Sequence, residues 1–347
     1  MAPAVTIKTI AQAVGVSPST VSNAYNKPGQ LSEALRERIF AVAEELGYTG
    51  PDAAARTLRS GRAGSIGVLF TDRLSYAFSD PYAVGFLAGV SAEVERTGTS
   101  LLLMPVSNPD DEPAAQSVRQ AAIDGAVVFC VDKDHPALAM LRARNIPMAS
   151  TDRVADPDAR WVAIDEYAAA AAVGAHLTKL GHRDVVVLVD TNRPAGQRAE
   201  LLPQSSVTCT DCGLRIEGLL SQLPKDTRVR IVSGGHNAVA SGRAAAEFVL
   251  DTQDRPSAIV GLSDVLALGA IDAMKTRGLV PGRDLSVTGF DDVPAAEAAG
   301  LTTVRQPIAE KGRLATRQLL NPEALDPQIL LPTELIVRSS TGPAPRR

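Results

Sequence analysis

Cysteine is scarce in this chain: there are three in 347 residues, too few for a disulfide framework in a protein of this size. Long hydrophobic runs are also missing. No stretch approaches about 18 uninterrupted apolar residues, and the N-terminus has no apolar run behind a basic start. These absences predict neither membrane insertion nor export, so we expect a cytoplasmic protein with reduced thiols and no membrane partner.

The sequence motifs of common enzymes are absent as well. The chain has no GxxxxGK[ST], HExxH or GxSxG, and its four histidines are scattered. We therefore expect no catalytic residues, no cofactor and no bound metal. An α/β enzyme stays open as an alternative that turnover of a bound ligand would reveal.

Charge of one sign does not dominate the chain either. The formal net charge is −4, yet residues 1–62 carry seven Lys or Arg and five Asp or Glu, a net charge of +2, which leaves −6 for the remainder. This polarity is far weaker than the basic surface of a protein that binds nucleic acid mainly through electrostatics. A nucleic-acid partner must therefore be argued from motif and helical periodicity.

Apolar residues recur at helical spacing in three short segments at the N-terminus. Thr6 is placed to cap the first segment, IKTIAQAV, and Gly15 ends it. Ser17 caps a second helix whose first turn tolerates Pro18, because the missing N–H of proline is harmless there. A third helix begins after Ser32. The sequence thus predicts a compact three-helix head over residues 1–50.

Two helices that meet across a tight glycine turn are typical of the helix-turn-helix, whose second helix enters the major groove of DNA. The second helix here carries hydroxyl and amide side chains on its exposed face, and these groups can hydrogen-bond base edges and phosphates. The pattern alone leaves open a small helical domain with a polar solvent face. The head residues predicted to contact DNA are Thr6, Ser17, Pro18, Ser19, Thr20, Ser22, Asn23, Asn26 and Gln30.

The same segment resembles a known family. TIKTIAQAVGVSPSTVSNAYNKPGQLSEALRERIFAVAEELGY is similar to the DNA-binding head of the LacI/GalR family of bacterial repressors, with its A-x-x-x-G-V-S-x-x-T-V-S-x-x-x-N core. PDAAARTLRSGRAGSIGV then resembles the family's hinge helix and linker, which gives residues 51–63 that role. The resemblance implies that Ala54, Arg56 and Leu58 contact DNA, with Leu58 inserted into the minor groove. Gly50 is one residue more than the family's spacing has.

From residue 64 onward, short apolar runs alternate with amphipathic helical segments. SIGVLF, SLLLMPV, DGAVVFCV and WVAID come first, and DVVVLVD, RVRIVSG, SAIVGL and LSVTGF follow. Near-continuous apolar strands separated by helices predict parallel sheets covered on both faces. The fold class is therefore α/β, and the length implies two doubly wound parallel-sheet lobes.

Open α/β sheets bind ligands in the crevice at the carboxyl ends of their strands. The resemblance, which extends to periplasmic sugar-binding proteins, implies that the chain crosses between the lobes three times, near Asp165, Asp291–Asp292 and Asn321. The predicted boundaries are residues 64–165 and 293–321 for the first lobe, 166–292 and 322–340 for the second, and 341–347 for a tail.

By the same resemblance, residues near the strand ends line the crevice. Arg215 matches a family arginine that contacts effector hydroxyls or carboxylates, and Asp291 matches an aspartate that accepts from ligand hydroxyls or a base edge. Ser263 stands where the family commonly has asparagine, and Phe129 where some sugar-responsive members have a polar residue. The residues predicted to contact the effector are Ser75, Tyr76, Phe78, Phe129, Asp152, Ile164, Arg215, Ser263, Asp291 and Gln306.

Residues 190–212 form a segment that Pro, Gly and Ser mark as a loop, longer than the family usually needs. The segment carries Cys209 and Cys212 as a CxxC. The CxxC could chelate zinc or cycle as a dithiol, but a structural zinc site needs four ligands, and the sequence offers neither a second CxxC nor a nearby histidine pair. Free thiols are therefore favoured, with a redox or metal role as the alternative. Because the segment leads into Arg215, it could fold over the crevice as a lid.

Together these patterns predict a DNA-binding transcriptional regulator, a repressor by its resemblance. Two copies would bind a pseudo-palindromic operator as a homodimer, and an effector between the lobes would alter operator binding by linkage. The expected effector is a sugar, a nucleoside or a related metabolite. The alternative is a cytoplasmic small-molecule-binding protein whose N-terminal helices mediate protein contacts.

Overall fold

The computed structural model describes residues 5–50, 61–70, 73–106, 112–191, 193 and 198–345. The chain divides into two compact units, residues 1–64 and 65–347. The predicted hinge residues Ala54, Arg56 and Leu58 lie outside the described residues. Within the described ranges, no helix combines the length and the apolar character needed to cross a membrane.

The N-terminal unit is a three-helix head, as the sequence predicted. Its helices are α1 (Ile7–Val14), α2 (Pro18–Asn26) and α3 (Glu33–Glu45), with a short 3-10 turn at Pro28–Gln30. The side chains of Thr6, Ser17 and Ser32 each accept a hydrogen bond from a backbone N–H in the first turn, which confirms the three predicted caps. Gly15 ends α1 with φ = 75°, a left-handed conformation that glycine adopts at little cost.

The head core is small and is shared by all three helices. Ile10, Val21 and Ile39 are fully buried at its centre. Helix α2 contributes Val21 and Ala24 as its buried residues, so most of its circumference is left for other contacts.

The larger unit begins with a sheet of six parallel strands. They are β1 (Ser65–Phe70), β2 (Ser100–Pro105), β3 (Gly125–Phe129), β4 (Met148–Ser150), β5 (Arg160–Ile164) and β12 (Gln328–Leu331). Their spatial order is β12-β5-β4-β3-β1-β2. One face packs on α5 (Pro81–Thr97) and α13 (Ile308–Leu320), the other on α6 (Glu112–Gln120) and α7 (Pro136–Ala143), and α4 (Leu74–Ser79) precedes α5.

The second sheet has five strands in the order β10-β9-β6-β8-β7. They are β6 (Asp184–Leu188), β7 (Glu200–Leu202), β8 (Arg228–Ser233), β9 (Ala258–Gly261) and β10 (Ser286–Thr288). One face packs on α8 (Glu166–Lys179) and α9 (Thr210–Gln222), and the other on α10 (Val239–Leu250) and α11 (Asp264–Lys275). The doubly wound α/β architecture predicted for both lobes is confirmed.

One edge of the second sheet corrects the sequence analysis. Strand β7 lies within the segment 190–212 that was predicted as a loop, and it pairs antiparallel with β8. Leu201 of this edge strand is exposed. The prediction followed the Pro, Gly and Ser content, whereas backbone pairing with a neighbouring strand decided the outcome.

Two of the three predicted crossings are also corrected. The chain leaves the first sheet at Ile164 and enters α8 in the core of the second lobe. It returns at Gln306 rather than at Asp291–Asp292, because α12 (Pro294–Ala298) and β11 (Thr303–Arg305) pack with the second lobe.

The last crossing follows β12 rather than Asn321, because β12 pairs with β5 of the first sheet. The chain then forms β13 (Glu334–Ile336), which pairs antiparallel with β11. The first lobe is therefore residues 65–164 and 307–331, and the second lobe is residues 166–306 and 334–345. The predicted tail packs on the second lobe, where the Ala344 N–H donates to the Leu180 carbonyl at 2.8 Å.

Candidate nucleic-acid interface and effector crevice

Most of the surface of helix α2 is polar, and only a narrow apolar face packs against the head core. Pro18, Ser19 and Asn26 are exposed, and Thr20, Ser22 and Asn23 are half-buried. The Ser17 hydroxyl lies 2.7 Å from the Ser19 hydroxyl and 2.8 Å from that of Thr20. Several hydroxyls thus converge at the N-terminus of a helix, where backbone N–H groups and the helix dipole favour a phosphate.

Two amides on the same face are oriented by neighbours. The Asn23 amide donates to the Gln30 side-chain oxygen at 3.4 Å, and the Asn26 amide donates to the Ser22 carbonyl at 2.8 Å. An oriented asparagine can pair with an adenine edge through two hydrogen bonds. The Thr6 side chain forms the predicted cap, reciprocally with Thr9, and its contact with DNA stays a prediction.

The basic residues of the head are partly committed to its own structure. The Arg38 guanidinium donates to the Val14 carbonyl at 2.7 Å, which satisfies an orphan carbonyl at the end of α1. The Arg36 guanidinium lies 5.6 Å from the Phe40 ring centroid. Both arginines keep their charge, but these contacts commit their guanidinium groups to the head itself, so hydrogen bonds from α2 carry the case for reading DNA.

The crevice of the larger unit lies where strand ends from both lobes meet. Asp152 and Cys130 follow strands of the first sheet, and Asp190, Ser263 and Asp291 follow strands of the second. The carboxyl ends of parallel strands form the ligand edge of such folds. Most of the predicted polar residues therefore gather at this edge.

Arg215 is held rigidly in the second lobe. Its Nε donates to Glu166 Oε2 at 2.6 Å and its Nη1 to the Leu262 carbonyl at 2.6 Å, while the guanidinium stacks 3.8 Å from the centroid of the Phe290 ring. Burial opposes the charge of this arginine, but Glu166 outweighs burial and holds the pKa of Arg215 well above its usual value. Arg215 is therefore a fixed, permanent cation whose partner, Glu166, the sequence analysis missed.

Asp291 is a strained and buried carboxyl. Its φ of 124° is rare for a residue with a side chain, and its Oδ1 accepts from the Gln306 amide at 2.7 Å. Burial raises the pKa of Asp291 well above its usual range, and Arg215 opposes that rise. Asp291 and Gln306 were both predicted, and the structure brings them into contact at the second crossing.

A hydrogen bond joins the two lobes directly. The Asn237 amide of the second lobe donates to Asp80 Oδ2 of the first at 3.0 Å, and the Ser263 hydroxyl donates to Asn237 Oδ1 at 2.6 Å. Burial raises the pKa of Asp80. Tyr76, which was predicted to contact the effector, lies beside this group. Burial, followed by the charge of Asp80, raises the pKa of its phenol. Ser263 therefore orients the asparagine that bridges the crevice.

A second group of side chains spans the crevice around Asp152. Burial raises the pKa of Asp152 well above its usual range, with the carboxylate of Asp211 in the opposite lobe as the next cause, while Lys311 opposes the rise. Fully buried Lys311 donates to the Tyr82 hydroxyl at 3.1 Å. Asp152 was predicted to contact the effector. Its acidic partner Asp211 and its basic partner Lys311 are distant in sequence, so the sequence analysis did not connect them to it.

Four further residues predicted to contact the effector are either fully buried or exposed. Phe129 and Ile164 are 1% and 0% exposed, the first inside an aromatic cluster with Phe70 and Phe86 and the second in the core of the second lobe. Both side chains are core residues in this structure, and their contact with an effector stays a prediction. Ser75 and Phe78 are exposed on α4, and their contact with an effector also stays a prediction.

The structure adds residues that the sequence analysis missed. The sequence around these residues gave little indication of a binding site. Asp80 has the pattern of a helix cap before proline, and Lys311 that of one charged residue in an amphipathic helix. Among the described residues, no group of three or more His, Cys, Asp or Glu could hold a metal ion. The missed crevice residues are Asp80, Tyr82, Glu166, Asp190, Asp211, Asn237 and Lys311.

Comparison with known proteins matches two families to separate parts of the chain, one within the head and one within the larger unit. Residues 6–50 match the bacterial regulatory proteins of the lacI family, and residues 175–341 match the periplasmic binding protein-like domain. An HTH-type transcriptional regulator of Mycolicibacterium smegmatis is 38% identical over 97% of this chain and 96% of its own length. The HTH-type transcriptional regulator IpsA of Corynebacterium glutamicum is 35% identical over 97% of this chain and 98% of its own length.

A solved structure matches over the same extent. The crystal structure of the lac repressor dimer bound to operator and the anti-inducer ONPF has a TM-score of 0.77 to this chain at 26% identity, over 97% of this chain and 99% of that one. The likeness runs through the head and both lobes alike, so the resemblance seen in the sequence is confirmed. The chain belongs to the lacI family of bacterial regulatory proteins and is a DNA-binding transcriptional regulator.

Proposed function

We propose that this regulator reads a pseudo-palindromic operator as a homodimer, through the polar face of α2, and that an uncharged, hydroxyl-rich effector between the lobes controls that binding. The observation that carries the proposal is the hydrogen bond between Asn237 and Asp80, which sets the strand ends of the two lobes face to face. A ligand that competes for or extends this bond changes how the lobes close.

The DNA side of the proposal depends on hydrogen bonding by α2. Asn23 and Ser19 are placed to contact base edges, and Ser17 and Thr20 to hold a phosphate at the helix N-terminus. Two such helices, related by two-fold symmetry, would reach successive major grooves on one side of the duplex. The operator-bound dimer of the lac repressor supports this arrangement.

The charge of the crevice defines the chemistry of the effector. The crevice is rich in acidic groups, and the basic groups Arg215 and Lys311 lie among them. The acids are Asp80, Asp152, Asp190, Asp211, Asp291 and Glu166. Arg215 is already paired with Glu166. An added carboxylate or phosphate beside these acids would raise their pKa values further, at a cost in free energy, whereas ligand hydroxyls can hydrogen-bond the carboxyl groups and accept from Asn237 or the cations.

Effector and operator binding are linked through closure of the lobes. The first lobe follows the head and hinge directly in the chain, and Gln306 at the second crossing is bonded to Asp291 of the crevice. An effector that favours one closure state shifts the regulator between states of different operator affinity, and the operator shifts effector affinity by the same factor.

We infer that the crevice binds its effector without turnover. The relatives are transcriptional regulators, and the buried carboxyls are held by amides and hydroxyls of the protein itself. The alternative of a binding protein whose head contacts other proteins is disfavoured, because residues 6–50 match a DNA-binding head. Recovery of chemically unchanged ligand after prolonged incubation is the expected result.

Operator binding can be tested by electrophoretic shift on genomic fragments against bulk competitor DNA. We expect specific retention, weakened about tenfold or more by Asn23→Ala, since a bidentate base contact is worth about 1–3 kcal/mol. Glu45→Ala, which alters an exposed residue at the end of α3, is the matched control and should bind as the parent does. Retention with no preference for any fragment would refute the proposal.

Effector chemistry can be tested by thermal shift with glucose, ribose, sorbitol and adenosine, each beside its phosphate monoester. A hit at about 100 times its Kd should raise Tm by about 5 °C or more. We expect hits among the neutral compounds, lost in Arg215→Ala and retained in Glu217→Ala, an exposed position on the same helix. Tighter binding of a phosphate monoester than of its parent compound would contradict the charge argument.

A further inference from the structure

Two cysteines stand at the start of α9, beside the crevice. Cys209 is the N-cap residue, and its Sγ accepts a hydrogen bond from the Cys212 backbone N–H at 3.3 Å. Residues three apart in a helix have Cα atoms about 5 Å apart. Disulfide-bonded cysteines have Cα atoms about 4.4–6.8 Å apart, so the backbone already holds this pair at bridging distance.

The two sulfurs face one another but differ in access. A hydrogen bond with the Cys209 thiol, followed by burial, raises the pKa of Cys212 well above its usual value. Cys209 is exposed and Cys212 is buried, with its thiol donating to Asp190 Oδ1 at 3.6 Å. Cys209 can therefore react with a reagent from solvent, while Cys212 is shielded from it.

We propose that Cys209 and Cys212 are an oxidisable pair that forms an intramolecular disulfide with a peroxide. Exposed Cys209, as thiolate, attacks a peroxide oxygen; the O–O bond breaks, the sulfur is oxidised to a sulfenic acid, and the leaving oxygen takes a proton to become water. Cys212 then attacks that sulfur, an S–S bond forms, and the sulfenic oxygen leaves as a second water. Two thiols and one hydrogen peroxide thus give one disulfide and two waters.

The disulfide would change the hydrogen bonds of residues that line the crevice. It removes the thiol hydrogen that Asp190 accepts, and it ties up the sulfur that caps α9. Asp211 lies between the two cysteines, and Arg215 follows Cys212 by one turn of the same helix. The consequence for effector binding depends on the proposed function, whereas formation of the bridge does not.

The third cysteine gives an internal control. Cys130 lies on the first lobe, where burial and the charges of Asp152, Asp211 and, more weakly, Cys209 raise the pKa of its thiol. It is near the pair yet outside the CxxC, so a peroxide that oxidised thiols without preference would also modify Cys130.

The test uses the full chain, reduced and then treated with hydrogen peroxide at low molar excess. Titratable thiols after denaturation should fall from three to one, with loss of the mass of two hydrogen atoms and a Cys209–Cys212 bridge in peptide mass mapping. In Cys130→Ser the bridge should form as in the parent. In Cys209→Ser, which keeps a capping hydroxyl, and in Cys212→Ser, no intramolecular bridge should form.

Hydrogen exchange gives the second measurement. Amide exchange of residues 198–222 should change about tenfold between reduced and bridged protein, revert with dithiothreitol, and stay constant in peroxide-treated Cys209→Ser. A thiol count that stays at three, a bridge to Cys130, or sulfenic and sulfinic products without a bridge would each overturn the proposal. None of these outcomes affects the electrophoretic shift, so failure here is distinct from failure of the proposed function.

Discussion

The head and the crevice are assembled over very different distances along the chain. On the α2 face, Asn23 bonds a residue seven positions away and Ser17 one three positions away. In the crevice, the Asn237–Asp80 bond spans 157 positions and the Lys311–Tyr82 bond spans 229. The proposed DNA-reading surface is therefore a local property of its sequence, while the proposed effector site exists only in the folded pair of lobes.

The two regions also differ in whether their charged side chains are exposed or buried. In the described part of the head, each of the four glutamates is exposed. The crevice instead buries Glu166, Asp291 and Lys311 almost completely. Substitutions of crevice charges should therefore be costly for stability, whereas the head should depend mainly on its small apolar core.

Breaking the Arg215–Glu166 pair should give the largest effect. Glu166→Ala leaves the guanidinium buried without its carboxylate, a change worth about 3–5 kcal/mol of unfolding free energy. Tm of the larger unit should fall by about 10 °C in calorimetry, since about 2–4 °C follows each kcal/mol in a domain of this size. The control Glu217→Ala, exposed on α9, should leave Tm unchanged.

A second variant separates lost pairing from lost packing. Glu166→Leu combined with Arg215→Met removes both charges and should recover most of the lost stability, because a paired charge and its apolar replacement are close in free energy. Equal destabilisation by the single and the double substitution would show that the charges do not matter, and the contrast between the two regions would weaken.

Removing apolar volume from the head should give the next largest effect, confined to DNA binding. Ile39 is fully buried, and Ile39→Ala should cost about 2–5 kcal/mol, a large share of the stability of so small a unit. Operator retention should be lost while Tm of the larger unit is unchanged. Glu37→Ala, exposed on the same helix, is the control. A fall in Tm of the larger unit as well would show that the two units do not unfold independently.

The same contrast explains what the sequence could predict. The caps at Thr6, Ser17 and Ser32 and the turn at Gly15 follow from neighbouring residues, and all were confirmed. The apolar strands likewise predicted two parallel sheets, because burial on both faces leaves a continuous hydrophobic run.

Prediction was wrong where the outcome depended on distant partners. The crossings at Gln306 and after Leu331 depend on which core α12 and β12 join. Lys311 and Glu166 became site residues only through partners far away in sequence, Tyr82 and Arg215. Ile164 sits at a strand end, and only tertiary packing shows that its side chain is buried in the core of the second lobe.

Asp264 should give the larger unit a pH dependence that the head lacks. Burial raises its pKa to about 6, against hydrogen bonds from Thr303 and the Val293 backbone that favour the carboxylate. Because the native pKa lies above the unfolded value, the protonated carboxyl favours the folded state. Its contribution to the free energy of unfolding, about 3 kcal/mol, is complete below about pH 4 and is lost as pH rises through about 6.

Denaturant unfolding of the larger unit at a series of pH values measures this dependence. Its free energy of unfolding should carry a component that declines between pH 4 and 6, and Asp264→Asn should flatten that component. Asp254→Asn, an exposed acid of the same lobe, should leave the profile as it is. A component that persists unchanged in Asp264→Asn would assign it to another buried acid, such as Asp152 or Asp291.

The smallest expected effect concerns the pair of acids that face each other across the crevice. Asp211→Asn removes the charge that, after burial, most raises the pKa of Asp152, so that pKa should move down toward its usual value. Carboxyl carbon NMR of Asp152 measures it directly, with Asp226→Asn, exposed in the second lobe, as control. Because the two carboxyls belong to different lobes, an unchanged Asp152 titration would mean that the lobes stand apart in solution, and the crevice would then have to be assembled by the effector.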